Sequence, residues 1–321
     1  MELTSSKKAG AASLPDDLIA EILSRVPYKS LCRFKCVSRP WLALCSDPGV
    51  RRKCPQTLSG FFFRRLDLYS PITSSNYFVN ASGRGPPMVD PSFSFLPPGH
   101  RDAIICDSCN GLLLFRLRLS VYKQIEIGHR YFVCNPATEK WIDLPDTEPM
   151  KRRYPFIRLG FDPAVSSHFR VFLLVHDNDH IPWEDRVVGL EIYSSVTGRW
   201  TYMPSKWGDD IRLYGNSISA FFNSTLHLTT LGSSVITVDT DGKTWRKILT
   251  PCSFDFIGMS QGCLYSISND VVWVLEDYVG QQWIRKHAIT APELDVYCRA
   301  LVIHPEHNLI FLGVGRVRSL M

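Results

Sequence analysis

YFVCNPATEKWIDLP, residues 131–145, recurs in outline as LEIYSSVTGRWTYMP, residues 190–204. Looser copies follow as VITVDTDGKTW at 235–245 and VWVLEDYVGQQW at 272–283. Each copy reads as an apolar strand, a turn, and a second strand opened by tryptophan. Thr-Gly or Asp-Gly in the turn supplies the positive φ that a tight hairpin demands. Trp141, Trp200, Trp245 and Trp283 stand 59, 45 and 38 residues apart. Such intervals suit one four-stranded propeller blade per repeat, the longer ones carrying insertions.

Working outward, a further strand with Gly or a small residue at its start precedes three of these units: NGLLLF at 110–115, NSTLHL at 223–228 and QGCLY at 261–265. Beyond residue 55, short runs of Val, Ile, Phe, Tyr and Leu alternate with Gly, Pro, Asn and Asp clusters, and no stretch carries a helical period. An irregular β-sandwich also gives hairpins at 8–12-residue spacing. The repeated Trp after a repeated turn favours the propeller. Blade number and ring closure stay open, with residues 58–98 a candidate for an early, degenerate blade.

The chain changes character near residue 53. In LPDDLIAEILSRV, residues 14–26, Leu18, Ile22, Leu23 and Val26 recur at helical spacing. Asp16 and Asp17 sit where acidic groups oppose the helix dipole, and Pro27 ends the segment. Lys29–Val37 predicts a second helix with Leu31 and Phe34 on one face. Ser38 is the expected N-cap of a third, because Pro40 is tolerated only in a first turn. Trp41, Leu42 and Leu44 supply its apolar residues. Three short helices leave more apolar surface than they can cover among themselves, which marks an interface or a packing face.

The 321 residues carry a net charge of +5, and residues 1–52 hold nine Lys or Arg against five Asp or Glu, hence four of the five charges. The remainder is nearly neutral, so a nucleic-acid-binding domain is not expected. Residues 1–12 have no apolar core for a secretory signal and read as a disordered N-terminus. No apolar run is long enough to span a membrane. The expected location is cytoplasmic or nuclear.

With this pattern in view, LPDDL (14–18), EIL (21–23), RVP (25–27), SL (30–31), RFKCVS (33–38) and Trp41 closely resemble the F-box of plant F-box proteins. CNGLLLF, YFVCNPATEKW, LGFDPAVSSHFRVFLLV and LEIYSSVTGRWTYMP resemble the F-box-associated, kelch-like region that follows it. Two departures stand out, Arg39-Pro40 in the third helix and Ser224 where that region usually has Gly. The resemblance implies a multi-domain chain: a small all-α F-box at 13–52, then an all-β, propeller-like domain at 56–321. It also implies docking on the Skp-type adaptor of a cullin–RING ubiquitin ligase, with the β region capturing a target protein. The expected adaptor contacts are Leu14, Pro15, Leu18, Ile22, Leu23, Leu31, Phe34, Val37 and Trp41. A ligase-independent F-box scaffold and a propeller enzyme with a helical arm are the alternatives.

No catalytic motif emerges beside this. GxSxG is absent, and Gly242-Lys243-Thr244 belongs to a hairpin rather than to a phosphate loop. His176-Asp-Asn-Asp-His180 has ligand-like residues that equally build a loop. Of ten cysteines, only Cys106 and Cys109 form a CxxC, and most of the others sit in apolar runs as small hydrophobes. No cofactor and no metal are expected. Asp177–Val188, with Trp183, and Arg116–Arg130 are candidate loops for target contact.

Overall fold

The structure, a computed structural model, describes residues 14–315 except 27, 55–57, 67–73, 82–83, 102, 119–120, 123–124, 127–128, 149–155, 178–185, 209, 214–216, 269, 290–296, 306 and 308. The expected N-terminal tail, Pro27, His180 and Trp183 lie outside the described residues. The chain falls into two compact units, residues 1–57 and 58–321.

The first unit is helical: α1 Asp16–Ser24, α2 Tyr28–Phe34, α3 Arg39–Ser46 and a fourth short helix, α4 Pro48–Lys53. Asp47 starts α4 by accepting the Gly49 and Val50 amides at 2.8 and 3.1 Å. α2 ends three residues earlier than the spacing predicts. Ser38 must be extended (φ −164°) to cap α3, so the chain leaves the helix before it. The Ser38 hydroxyl then accepts the Trp41 amide at 3.3 Å, and Pro40 sits in the first turn, where no amide is missed.

The second unit is built of antiparallel meanders. It opens with a hairpin, β1 Gly60–Leu66 and β2 Ser74–Asn80. The first four-stranded sheet takes β3 Ile104–Cys109 and β4 Leu112–Arg118. A small ladder, β5 Val121–Tyr122 with β6 Ile125–Glu126, interrupts it before β7 His129–Asn135 and β8 Lys140–Asp143 complete it. The second sheet is β9 Phe156–Gly160, β10 Arg170–His176, β11 Val187–Ser194 and β12 Arg199–Pro204. The third is β13 Ser219–Phe222, β14 Thr225–Thr229, β15 Ser234–Asp239 and β16 Trp245–Leu249. The fourth is β17 Phe256–Ser260, β18 Cys263–Ser268, β19 Val271–Asp277 and β20 Gln282–Ala288. A last hairpin, β21 Tyr297–Ile303 and β22 Ile310–Gly315, follows.

The core decides between propeller and sandwich. It is a series of slabs, each between consecutive sheets, instead of one layer between two. Leu112, Leu114, Tyr131 and Val133 of the first sheet meet Leu159, Val171 and Leu173 of the second. The other face of β10 sends Phe172 and Leu174 against Leu226, Leu228 and Ile236 of the third. Val235 and Ile248 then meet Ile257, Leu264 and Leu275 of the fourth, whose Phe256 and Val272 meet Ile303 of the last hairpin. A sheet covered on both faces needs continuous apolar strands, and VFLLV (171–175) is one. First strands neighbour one another in the order β3, β9, β13, β17, β21. The circuit returns through the first hairpin, where Phe61 packs on Phe311 (4.8 Å between centroids) and Phe62 on Phe93 (5.5 Å), which clusters with Leu113, Phe115 and Phe132 on the other face of the first sheet. Both hairpins together thus fill the remaining place in the ring.

The four repeat tryptophans all stand in the fourth strands, β8, β12, β16 and β20, and three of them act as ties between neighbours. Trp200 donates its indole N–H to the Pro145 carbonyl at 2.8 Å, and Trp283 to the Leu249 carbonyl at 3.0 Å, each reaching the preceding sheet's end. Trp245 bonds within its own turn but receives Trp207, 4.4 Å away, from the second-to-third connection. On the inner strands Asp107 accepts the Leu159 amide at 2.8 Å, and Arg158 donates to the Ser217 carbonyl at 2.6 Å.

Turn chemistry follows the expected residues only in part. Asn110-Gly111, Asn223-Ser224 and Gln261-Gly262 are two-residue turns with positive φ at both positions. Ser224 adopts φ +56° and keeps the hairpin tight without glycine. Gly198 and Gly242 take φ +67° in their repeats, while Glu139 and Gln281 do the same duty in the first and fourth.

Candidate docking face

The helical unit has a small core of Leu23, Leu31, Cys45, Val50 and Cys54, with Ile19, Ala20, Val26, Phe34, Trp41 and Leu44 packed around it. Phe34 meets Trp41 edge-on at 5.6 Å. The Cys54 thiol donates to the Leu23 carbonyl at 3.3 Å, closing the end of α1 against α4.

That core uses only one side of α1. Ile19, Leu23 and Val26 recur at three and four residues and point inward. Leu18 and Ile22, also four apart, point outward and stay 52% and 53% exposed. Leu14 (52%), Pro15 and Val37 (61%) are exposed as well. The nine expected contact residues therefore divide. Leu14, Pro15, Leu18, Ile22 and Val37 lie on the surface, Leu23 and Leu31 are core, and Phe34 and Trp41 are half-buried at the boundary. Leu42, 47% exposed, joins the exposed apolar set and was not among the nine. The spacing from the Ser38 cap placed it on α3, but nothing in the sequence separated its side from that of Trp41.

A helix apolar on two sides, one of them open to water, is an unpartnered element. Arg25 donates to Glu21 at 2.6 Å, and that hydrogen bond holds the Glu21 carboxyl below its ordinary range. Asp16 and Asp17 stand in the first turn, where they favour the helix dipole.

In the β unit, the candidate target loops are only partly described. Asp177 and Arg186 clamp the base of the 177–188 loop, by an ion pair of 3.4 Å and a 3.0 Å bond from the Arg186 amide. The thiols of Cys106 and Cys109 are free and protonated, pushed up to about 11 and about 12 by burial. A thiol so raised is a poor nucleophile at neutral pH.

Comparison with known proteins agrees with this division. The F-box domain family matches residues 12–53, and the family "F-box protein At3g26010-like, beta-propeller" matches residues 91–264. F-box protein At5g07610 of Arabidopsis thaliana is 31% identical over 206 residues, 61% of this chain and 46% of that protein. F-box protein At5g49610 of the same plant is 24% identical over 296 residues, covering 85% and 77% respectively. Putative F-box protein At3g10240 is 27% identical over 175 residues, 50% and 40%. The chain thus spans less than half the length of the first and third of these relatives. An F-box over the helical unit and a family match across most of the sheets lead to one conclusion: the chain belongs to the plant F-box proteins with an At3g26010-like β-propeller.

Proposed function

We propose that the chain is a non-catalytic substrate-recognition subunit of a cullin–RING ubiquitin ligase. The helical unit docks on the Skp-type adaptor, and the propeller captures a target protein. The observation that carries this reading is α1 with apolar residues on two sides, one filling the unit's own core and one open. Leu14, Pro15, Leu18, Ile22 and Val37, with Leu42, form the contact. Leu23 and Leu31 support it from beneath, and Phe34 and Trp41 border it.

Catalysis by this subunit is then proximity alone. Holding a target lysine near the ubiquitin-charged enzyme raises its effective concentration, and no bond-making group is needed on this chain. Affinity capture of the full chain from plant cells with the proteasome inhibited is expected to recover adaptor, cullin and ubiquitinated target together. Leu18→Asp with Ile22→Asp is expected to lose the adaptor and cullin while retaining the target. Retention of the adaptor by that double variant overturns the docking face, and an adaptor recovered without cullin overturns the ligase role.

A further inference from the structure

Between the third and fourth sheets the propeller holds a cleft of about 260 Å3, lined by Thr225, Thr237, Asp239, Thr244, Arg246 and Tyr278. All six side chains are polar, and two of the four hydroxyl protons are already used inside the protein. Thr225 donates to the Asn223 carbonyl at 3.2 Å. The Tyr278 hydroxyl lies 2.9 Å from Nε2 of His227.

The direction of that last bond follows from the ring's other side. His227 is 1% exposed and neutral at physiological pH, because burial pushes its pKa down to about 4. Its Nδ1 is 3.2 Å from the Thr225 carbonyl, which only accepts. Nδ1 therefore carries the single ring proton, and Nε2 accepts from Tyr278. Asp239 is taken up by the Lys243 and Thr244 amides at 2.7 and 3.0 Å. The Thr225 and Tyr278 hydroxyls thus have their protons committed and keep oxygen lone pairs to offer, and the Thr237 hydroxyl oxygen can accept as well.

Arg246 is the one strong donor. It is exposed, its guanidinium carbon stands 5.9 Å from the Tyr278 ring centre, and it makes no ion pair within 4 Å among the described residues. Its charge and that of Asp239 balance, so a singly charged ligand gains little from the cleft as a whole. The complement is a neutral group with an N–H donor pair beside a carbonyl acceptor. A primary carboxamide has that form, its NH2 directed at the hydroxyl oxygens of Thr237 and Tyr278 and its carbonyl at Arg246.

We propose that this cleft seats the carboxamide side chain of an Asn or Gln on an extended segment of the captured target, making it a specificity site of the target-binding unit. The proposal rests on the target-capture reading above. It is tested on the full chain by saturation-transfer NMR with N-acetyl-glutamine methylamide as probe, beside its glutamate and side-chain dimethylamide analogues. The expected Kd is about 1–10 mM, the range for one small group held by a few hydrogen bonds. The dimethylamide, which lacks the N–H pair, and the glutamate analogue are expected to bind at least tenfold more weakly. Arg246→Ala and Tyr278→Phe are expected to lose the signal. Equal binding of all three compounds overturns the proposal, as does an unchanged signal in Arg246→Ala. Adaptor binding measured on the same sample separates the two readings: adaptor retained without amide binding removes the cleft assignment alone, and adaptor lost with amide binding retained removes the docking reading alone.

Discussion

Truncating Leu18 or Ile22 to alanine, beside Leu23 to alanine, separates contact from support on one helix. About half of Leu18 and Ile22 is still exposed to water, at 52% and 53%, whereas Leu23 is 1% exposed. Full burial of such a side chain is worth ~1.5–3 kcal/mol, so docking can gain about 0.8–1.5 kcal/mol from the exposed half of each. That loss weakens the Kd for the Skp-type adaptor about three- to twelvefold per residue. The folded unit should hardly notice, since an exposed truncation stays within ~0.5 kcal/mol. Leu23→Ala is the mirror case. It opens a cavity in the small core and costs about 2–5 kcal/mol of the helical unit's stability. The measurements are calorimetric titration with purified adaptor and urea unfolding of each variant. An unchanged Kd in Leu18→Ala and Ile22→Ala refutes the assignment. So does a drop in their urea midpoint as large as that of Leu23→Ala.

Two further outcomes follow from the propeller. Gly198 and Gly242 share φ +67°, but an added Cβ meets nothing within 4 Å at Gly198 and lies 2.7 Å from Met203 Cγ at Gly242. Gly198→Ala should cost about 1 kcal/mol from backbone strain alone, and Gly242→Ala a further ~1–3 kcal/mol, read as urea midpoints; equal costs would refute the packing of that turn on the second sheet. His227, with its pKa lowered from 6.5 to about 4, binds its proton less readily folded than unfolded. Its contribution is therefore fully present above pH 6.5 and is lost as pH falls toward 4, by about 3 kcal/mol at pH 4. His227→Phe should flatten that part of the stability profile, and a wild-type slope in the variant contradicts the buried neutral ring.

Much of the fold was legible because its repeat is carried by residues with local jobs. The four tryptophans stand in consecutive fourth strands, and the Asn-Gly and Gln-Gly pairs make the turns that require positive φ. Glu139 and Gln281 were not legible as turn residues, because non-glycine residues enter that conformation only when flanking strands hold them there. Ring closure was hidden for a different reason. Phe61 and Phe311 carry no shared motif, and only three-dimensional packing brings them together. On α1 the sequence pattern merged two faces. Leu18, Ile22, Leu23 and Val26 look like one stripe, yet only Leu23 and Val26 belong to the core. Spacing gives the helix; which apolar side is covered depends on α2, α3 and α4, which periodicity does not locate. The polar cleft was equally silent, since Thr225, Arg246 and Tyr278 are ordinary strand and turn residues until two sheets meet.

The seam between the two hairpins also bears on how the protein comes into being. Phe61 must wait for Phe311, so the longest loop closure in the β unit is left until nearly every other strand has been synthesised. Until β21 and β22 arrive, the faces holding Phe256 and Val272 at one end and Phe61 at the other lack their cover. A nascent chain stalled before residue 297 therefore presents two sticky flanks of an unfinished circle. Chaperone demand and aggregation during synthesis should concentrate in that interval.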